Sequence, residues 1–282
     1  MRWAGLGLVV GAVLGALVTA VACAPAAWLA DGLAGATDGR FQLADARGSV
    51  WDGSAALVLT GGPGSRSASA LPGRLHWTLG LDGSALGLRA RQDCCINGEL
   101  RLRIAPGLGR VRVDLVVPGG LPIATGTAAP GGAAGTAIGQ WPASWLVGLG
   151  TPWNTLQPTG TLQLSSPGLS LEQVQGRWLF NGRAELELGN IASRLAALDV
   201  LGSYRLSLQG DAAQGQPTRL KLNTTSGALL LDGQGEWSGP GAAARLHFSG
   251  TAGAAPGAEA ALGGLLNIIG RRQGAQSLIT IG

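Results

Sequence analysis

Few side chains in this sequence could do acid–base or nucleophilic chemistry. Its two histidines, His76 and His247, each fall on the polar phase of an alternating segment, where a side chain faces solvent without a role. No G-x-S-x-G segment offers a nucleophile, and the single lysine, Lys221, stands between two leucines and not after a glycine-rich loop. We therefore assign no catalytic, cofactor-binding or metal-binding residue and expect a protein that is not an enzyme.

One pair of carboxylates has a spacing that could support general acid–base catalysis. Glu185 and Glu187 are two positions apart, which on a strand places both side chains on one face. The same spacing is typical of an ordinary solvated strand, and no further acid–base group accompanies the pair. We interpret both residues as surface charges.

The three cysteines do not make a disulfide framework. Cys23 lies in an apolar run near the N-terminus, which leaves the adjacent Cys94 and Cys95. These two can form a vicinal disulfide with an eight-membered ring or remain two thiols, and the sequence leaves both states open. Neither a histidine nor a third thiol accompanies them at zinc spacing, so we expect no metal there.

The first segment of the chain predicts a membrane anchor. From Ala4 to Ala30 no charged residue interrupts the sequence, and roughly 20 apolar residues suffice for a helix to cross a bilayer. Arg2 precedes this run, and the positive-inside rule keeps such a basic end in the cytoplasm. We predict a signal anchor over residues 1–30, single-pass in the inner membrane, with the bulk of the chain in the periplasm.

Two other outcomes could use the same segment. A signal peptide could be cleaved at the small residues 22–24 (ACA), or Cys23 could carry a lipid. The apolar run continues past both sites to Leu29, which favours a retained anchor.

Glycines within the anchor suggest a contact for another membrane helix. Gly7, Gly11 and Gly15 share one helix face at a spacing that lets two helices approach closely. The alternative is compositional, because the chain contains 49 glycines in all.

Behind the anchor, apolar and polar residues alternate along many short segments. Leu75, Trp77 and Leu79 alternate with Arg74 and His76, and the same period of two recurs throughout the chain. Such alternation is typical of antiparallel sheets with one packed face and one solvated face. We predict a mainly β protein, an antiparallel β-meander arranged as two similar units or as one curved continuous sheet. The predicted parts are a β-unit over 40–125, a helical or loop junction over 126–154 and a β-unit over 155–282, with short helices near 142–149 and 259–269.

Tryptophans concentrate in the predicted junction. Trp141, Trp145 and Trp153 either present exposed anchors for a partner or fill the seam between the two β-units. The large area that tryptophan usually buries favours the seam.

The positive net charge does not indicate nucleic-acid binding. No aromatic residue interleaves with the gathered arginines as a stacking platform would require, so we interpret them as solvated strand faces. These arginines are Arg101, Arg103, Arg110 and Arg112.

Four segments, taken in order, resemble the type II secretion system protein N family. They are 46–55 (ARGSVWDGSA), 73–79 (GRLHWTL), 149–160 (LGTPWNTLQPTG) and 265–272 (LLNIIGRR). The resemblance implies an inner-membrane accessory component of the type II secretion machinery, whose partners are other subunits of that machinery. It also implies a role in the export of folded proteins across the outer membrane, with no catalytic residue to carry over.

A lipid-handling protein of the AsmA or bridge-like type is the alternative function. Such proteins also combine one N-terminal helix with glycine-punctuated meanders, which enclose an apolar groove. A continuous apolar trough along the sheet would favour that alternative, whereas a closed core filled by side chains would favour a scaffold.

Overall fold

The computed structural model describes residues 15–16, 18–116, 135–174, 177–211, 216–238 and 245–282. The body is one large antiparallel sheet, so the predicted mainly β fold is confirmed. Its strands are β1 (Phe41–Gly48), β2 (Asp52–Thr60), β3 (Ala68–Ala70), β4 (Leu75–Asp82), β5 (Ala85–Arg91), β6 (Leu100–Gly107), β7 (Arg110–Val116), β8 (Thr136–Pro142), β9 (Pro158–Val174), β10 (Arg177–Ser193), β11 (Gly202–Asp211), β12 (Thr218–Gly227), β13 (Leu229–Ser238), β14 (Arg245–Ala254), β15 (Arg271–Gln273) and β16 (Gln276–Ile281).

The strands follow one another in a meander. Their order in the sheet is β1-β2-β4-β5-β6-β7-β9-β10-β11-β12-β13-β14-β16-β15, with β3 beside β2 and β8 beside β9. Because β7 pairs directly with β9, for example Val113 with Leu171, hydrogen bonding continues across the predicted junction. Of the two arrangements that the alternation allowed, the chain therefore forms the continuous sheet.

The period of two sorts the side chains between the faces of the sheet. On β4, Trp77 is buried while its neighbours His76 and Thr78 are exposed. Apolar residues then meet across strands, as in the row Leu79, Leu88, Leu102 and Leu115. Direct cross-strand pairs share a face, so this register gathers the leucines on one side of the sheet.

The long hairpin of β9 and β10 joins the two parts of the sheet. The C-terminal part of β9 pairs with β7, while its N-terminal part pairs with β8 on the same edge. A bulge separates these parts, since the register of β9 against β10 shifts near Gly168. There the Ser166 hydroxyl donates to the Arg183 carbonyl and accepts from the Gly168 N–H, which satisfies the groups that the bulge releases.

Short helices close parts of the apolar face. Helix α1 (Ala26–Ala36) packs on β1 and β2, where Ala26, Leu43, Ala55 and Trp77 form a small core. A second, larger core lies under α3 (Glu259–Ile269), which buries three leucines almost completely. Burial of a leucine side chain stabilises by about 1.5–3 kcal/mol, so α3 is a major support of the C-terminal strands. These leucines are Leu262, Leu265 and Leu266.

Two of these short helices were expected from the sequence. A 3-10 helix (Ala143–Leu149) and α3 coincide with the predictions near 142–149 and 259–269, and a single turn, α2 (Trp153–Leu156), follows the first of them.

The N-terminal segment is described only in part. Residues 18–22 are helical, and the chain turns at Cys23 before α1 begins at Ala26. Within the described ranges, no helix is long and apolar enough to cross a membrane. Gly7 and Gly11 lie outside the described residues, and a Cβ added at Gly15 would meet nothing within 4 Å. The last residues of the apolar run, 26–30, belong to α1 and pack partly on the sheet.

Candidate functional site

The turn between β1 and β2 holds the end of the N-terminal segment. The indole Nε1 of Trp51 donates to the Val21 carbonyl at 2.8 Å, and the Val50 N–H donates to the Ala24 carbonyl at 2.9 Å. Pro25 also forms an isolated antiparallel bridge with Ser49. Three consecutive residues of the turn thus attach the chain that leads out of the predicted anchor.

Local sequence explains why this turn forms. The Ser49 hydroxyl accepts the N–H groups of Trp51 at 3.2 Å and Asp52 at 3.0 Å, so it closes the turn on its own backbone. Gly48 has a φ of 86°, in the left-handed region that favours glycine. At Gly53, a Cβ would lie 2.5 Å from the Trp77 ring, so glycine lets that buried indole approach the strand.

The tryptophan-rich junction connects the two parts of the sheet. The Trp145 Nε1 donates to the Ser69 carbonyl at 3.0 Å, and its ring meets Phe41 edge-on at a centroid distance of 6.0 Å. The 3-10 helix packs against β2 and β3 on one side and against β9 on the other. Trp141, in β8, packs on the C-terminal core. All three junction tryptophans are half-buried.

The chain that directly follows the junction stays exposed on one side. Thr155, Gln157 and Thr159 are exposed polar residues, and we call these three the junction ridge. The backbone beneath them is fixed, because Pro158 is buried and the Ser193 hydroxyl donates to the Leu156 carbonyl at 2.5 Å. The ridge is therefore a polar surface on a firmly held base.

The residues considered for acid–base chemistry do not converge on one site. His76 and His247 are both exposed, on strands far apart in the sheet order. Glu187 forms an ion pair with Arg205 at 2.7 Å, and this hydrogen bond raises the pKa of Arg205. Glu185 lies two residues away on the same strand and is half-buried.

A cavity of about 860 Å³ opens on the polar face of β11–β14 and β16. Its titratable lining residues, Arg219, Lys221, Glu236 and His247, come from three adjacent strands. Glu236 is the direct cross-strand partner of both Arg219 and His247, which is the arrangement of an ordinary polar sheet face.

The gathered arginines are paired with acids. Arg101 and then Arg91 hold the pKa of the Glu99 carboxyl below its usual value through hydrogen bonds. This pairing is what a solvated strand face would show. The nitrogen–oxygen distances are 2.6 Å for Arg101–Glu99, 3.8 Å for Arg103–Asp82, 3.9 Å for Arg110–Glu172 and 2.7 Å for Arg112–Asp114.

No cluster of three or more potential metal ligands occurs in the part of the chain that the structure describes. The adjacent Cys94 and Cys95 are joined to each other by a disulfide bond, which decides between the two states left open by the sequence.

These features define a large antiparallel meander protein whose N-terminal segment docks on a strand turn and whose halves meet at a tryptophan-rich junction. The chain belongs to the family of the type II secretion system (T2SS), protein N, whose sequence model matches residues 39–279. The resemblance found in the sequence is thus confirmed, and the chain is a component of the type II secretion system. No curated protein and no solved structure gives a significant match.

Some partners in these sites carry no sequence signal. Ser69 and Phe41 meet Trp145 from distant parts of the chain, and Val21 meets Trp51 across 30 residues. Reading the sequence could identify only one residue of each contact, which is the tryptophan.

Proposed function

We propose that this chain is an accessory scaffold of the type II secretion machinery that supports export of folded proteins across the outer membrane. It acts through contacts with other subunits of the machinery and not by turnover. The junction ridge is the observation that carries this proposal. It is exposed and polar, and it lies beside the 3-10 helix that packs against β2, β3 and β9, so a partner bound there would sit next to the connection between the two parts of the sheet.

The edges of the sheet are less suited to partners than the ridge. At β1, the Phe41 N–H donates to the Thr37 hydroxyl, which itself donates to the Leu33 carbonyl at 2.8 Å, so the outward N–H of Phe41 is occupied. A bulge with Asp45 in the left-handed region then interrupts the strand. At the other edge, β15 has three residues, of which Arg271 and Arg272 are charged. Bulges, short strands and charge all discourage strand addition.

A single-pass anchor in the inner membrane, with the sheet in the periplasm, completes the proposal. Support comes from the uncharged run before Asp31 and from the exposed apolar residues Val18 and Val21 at its described end. The hydrogen bond from Trp51 to Val21 attaches this end to the sheet. The glycines at 7, 11 and 15 give the anchor a face for packing against another membrane helix.

The experiment places a photo-crosslinking amino acid at Gln157 of the full-length chain in cells that run the secretion machinery. We expect covalent adducts with other subunits of that machinery. The matched control puts the same amino acid at Gln234, an exposed position on the polar sheet face. Equal adducts from both positions, or none from Gln157, would remove the ridge as the contact surface.

A second candidate function, lipid handling of the AsmA or bridge-like type, is favoured by one observation. The described helices pack mainly over β1–β3, β9 and the C-terminal strands. The leucine row of Leu88, Leu102 and Leu115 on β5–β7 lies between them and is half-buried. Mass spectrometry of lipids extracted from the purified protein separates the functions: a stoichiometric phospholipid favours lipid handling, and a lipid-free protein favours the scaffold.

A further inference from the structure

The turn between β5 and β6 carries the Cys94–Cys95 disulfide, which has no part in the proposed scaffold surface. Its two residues differ in environment: Cys94 is exposed, whereas Cys95 keeps 4% of its surface exposed. Thiol–disulfide exchange requires a thiolate to reach one sulfur of the bond. An external thiolate can therefore approach from the Cys94 side, with Cys95 as the leaving group.

The buried half of this turn is attached to β8. The Cys95 carbonyl accepts the Gln140 N–H at 2.8 Å, and the Asn97 N–H donates to the Ile138 carbonyl at 2.9 Å. The Asn97 side-chain amide adds a hydrogen bond of 3.3 Å to the Ala137 carbonyl. Strand β8, which pairs with β9, is thus also hydrogen-bonded to the backbone at and just after the disulfide.

The approach of the turn to β8 is as close as a glycine allows. Ile96 and Gly139 form an isolated antiparallel bridge, and a Cβ added at Gly139 would collide with the Cys95 carbonyl. Any change in the backbone at Cys95 therefore alters its contact with β8 directly.

A buried amide beside the turn opposes the packing of the turn against β8. Gln92 is 2% exposed, and its amide nitrogen donates to the Pro72 carbonyl at 3.4 Å. Its Oε1 is buried with no hydrogen-bond partner among the described residues, which costs free energy. The disulfide ring of Cys94 and Cys95 opposes separation of the turn from β8, because the cross-link restricts the backbone of both residues.

We propose that the Cys94–Cys95 pair is a thiol–disulfide exchange site for a protein dithiol oxidoreductase, and that reduction loosens β8 from the β5–β6 turn. A thiolate of the dithiol attacks the Cys94 Sγ; the bond between the sulfurs breaks, and Cys95 leaves and takes up a proton. The second thiol of the reductant then attacks the mixed disulfide and releases Cys94 as a thiol. Two electrons and two protons pass to the chain, and the reductant becomes a disulfide. An oxidised dithiol partner restores the ring by the reverse route.

Loosening β8 would reach the junction. β8 ends at Pro142 and leads directly into the 3-10 helix that begins at Ala143. The ridge therefore becomes sensitive to the redox state of the turn. This consequence rests on the proposed scaffold function, whereas the exchange reaction does not.

The first test counts thiols in the full-length Cys23→Ser protein, in which Cys94 and Cys95 are the remaining cysteines. Protein prepared without reductant is denatured and alkylated with iodoacetamide. Trypsin then cuts after Arg91 and after Arg101, which releases residues 92–101 with both cysteines. We expect no alkyl group on this peptide before treatment with dithiothreitol and two after it. Alkylation of both residues before reduction would overturn the proposal.

The second test traps the exchange. A thioredoxin variant that lacks its resolving cysteine should form a mixed disulfide with the same protein, and peptide mapping should place it on Cys94. An adduct on Cys95, or no adduct, would overturn the assignment of the attacked sulfur.

The third test measures the coupling by hydrogen–deuterium exchange. Reduction should raise the exchange rate in residues 136–142 by about tenfold and leave residues 262–266 under α3 unchanged. A Cys23→Ser, Cys94→Ser, Cys95→Ser variant is the control and should not respond to dithiothreitol. Equal exchange in β8 before and after reduction would overturn the coupling. Crosslinking from Gln157 is read separately, so failure of the scaffold proposal is distinguishable from failure of this one.

Discussion

The indole N–H of Trp51 donates a hydrogen bond of 2.8 Å to the carbonyl of Val21, 30 residues earlier in the chain. This contact joins the end of the predicted anchor to the turn between β1 and β2. Trp51 belongs to the first segment that resembles the secretion family, so a structural role can be given to that motif: it positions the N-terminal segment on the sheet.

Trp51→Phe should loosen the N-terminal segment while keeping the aromatic ring. The variant loses one hydrogen bond, worth about 0.5–1.5 kcal/mol, so deuterium uptake in residues 18–24 should rise severalfold. Trp28→Phe is the control, because Trp28 is 57% exposed and its loss of an N–H should leave uptake as in the wild type. Identical uptake in the two variants would show that Trp51 does not hold the segment.

Gly148→Ala should separate the junction from the sheet. A Cβ there would overlap the Leu59 carbonyl and lie 2.9 Å from the Ser69 nitrogen. Forcing atoms into such a contact typically costs about 1–3 kcal/mol, measured by urea unfolding. In contrast, a Cβ at Gly263 in α3 meets nothing within 4 Å, so Gly263→Ala should be neutral or stabilise by up to about 1 kcal/mol. A neutral Gly148→Ala would contradict the close junction packing.

Adjacent residues on β9 should differ sharply because they occupy opposite faces. Leu162 is buried in the C-terminal core, and Leu162→Ala should cost about 2–5 kcal/mol of unfolding free energy. Gln163 is exposed, so Gln163→Ala should stay within about 0.5 kcal/mol. Equal unfolding midpoints would mean that the register of β9 is wrong.

Tyr204 should make stability depend on alkaline pH. Its hydroxyl is buried and donates to the Leu229 carbonyl at 3.1 Å, and burial raises the pKa of the phenol. The pKa of Tyr204 is higher in the folded than in the unfolded protein. Its contribution to the free energy of unfolding is therefore fully present below about pH 10 and is lost as the pH rises towards the folded pKa. Tyr204 is the single tyrosine, so tyrosinate absorbance should stay absent from the folded protein at pH 11 and appear on unfolding. A normal titration near pH 10 without unfolding would contradict this burial.

Much of the fold could be read from local pattern. The alternation around Trp77 predicted the strand and its buried phase, and the apolar stretch before Gly270 predicted α3. The break between the N-terminal helix and α1 also had a signal, because Pro25 disfavours helix at the residue before it. The uncharged run from Ala4 to Ala30 concealed this break, because it predicts a single helix.

Other features depend on long-range geometry and had no such signal. Strand β9 pairs with both β7 and β8 on one edge, on either side of a bulge near Gly168 that a single strand pattern does not reveal. The hydrogen bond from the Phe41 N–H to the Thr37 hydroxyl likewise depends on how α1 meets β1, so no local pattern predicts it.

The most direct test of the scaffold function is a secretion assay with altered junction ridges. The full-length chain carrying Thr155→Arg and Gln157→Arg replaces the wild type, and the amount of folded substrate outside the cell is measured together with outer-membrane phospholipid content. A chain with Gln234→Arg and Ser249→Arg, both exposed on the polar face, is the control, and thermal unfolding checks that both proteins fold. We expect the ridge variant to lower secretion to the level of a strain without the protein, with phospholipid unchanged and normal secretion by the control. Normal secretion by a folded ridge variant, or a phospholipid shift with secretion intact when the protein is absent, would contradict the account.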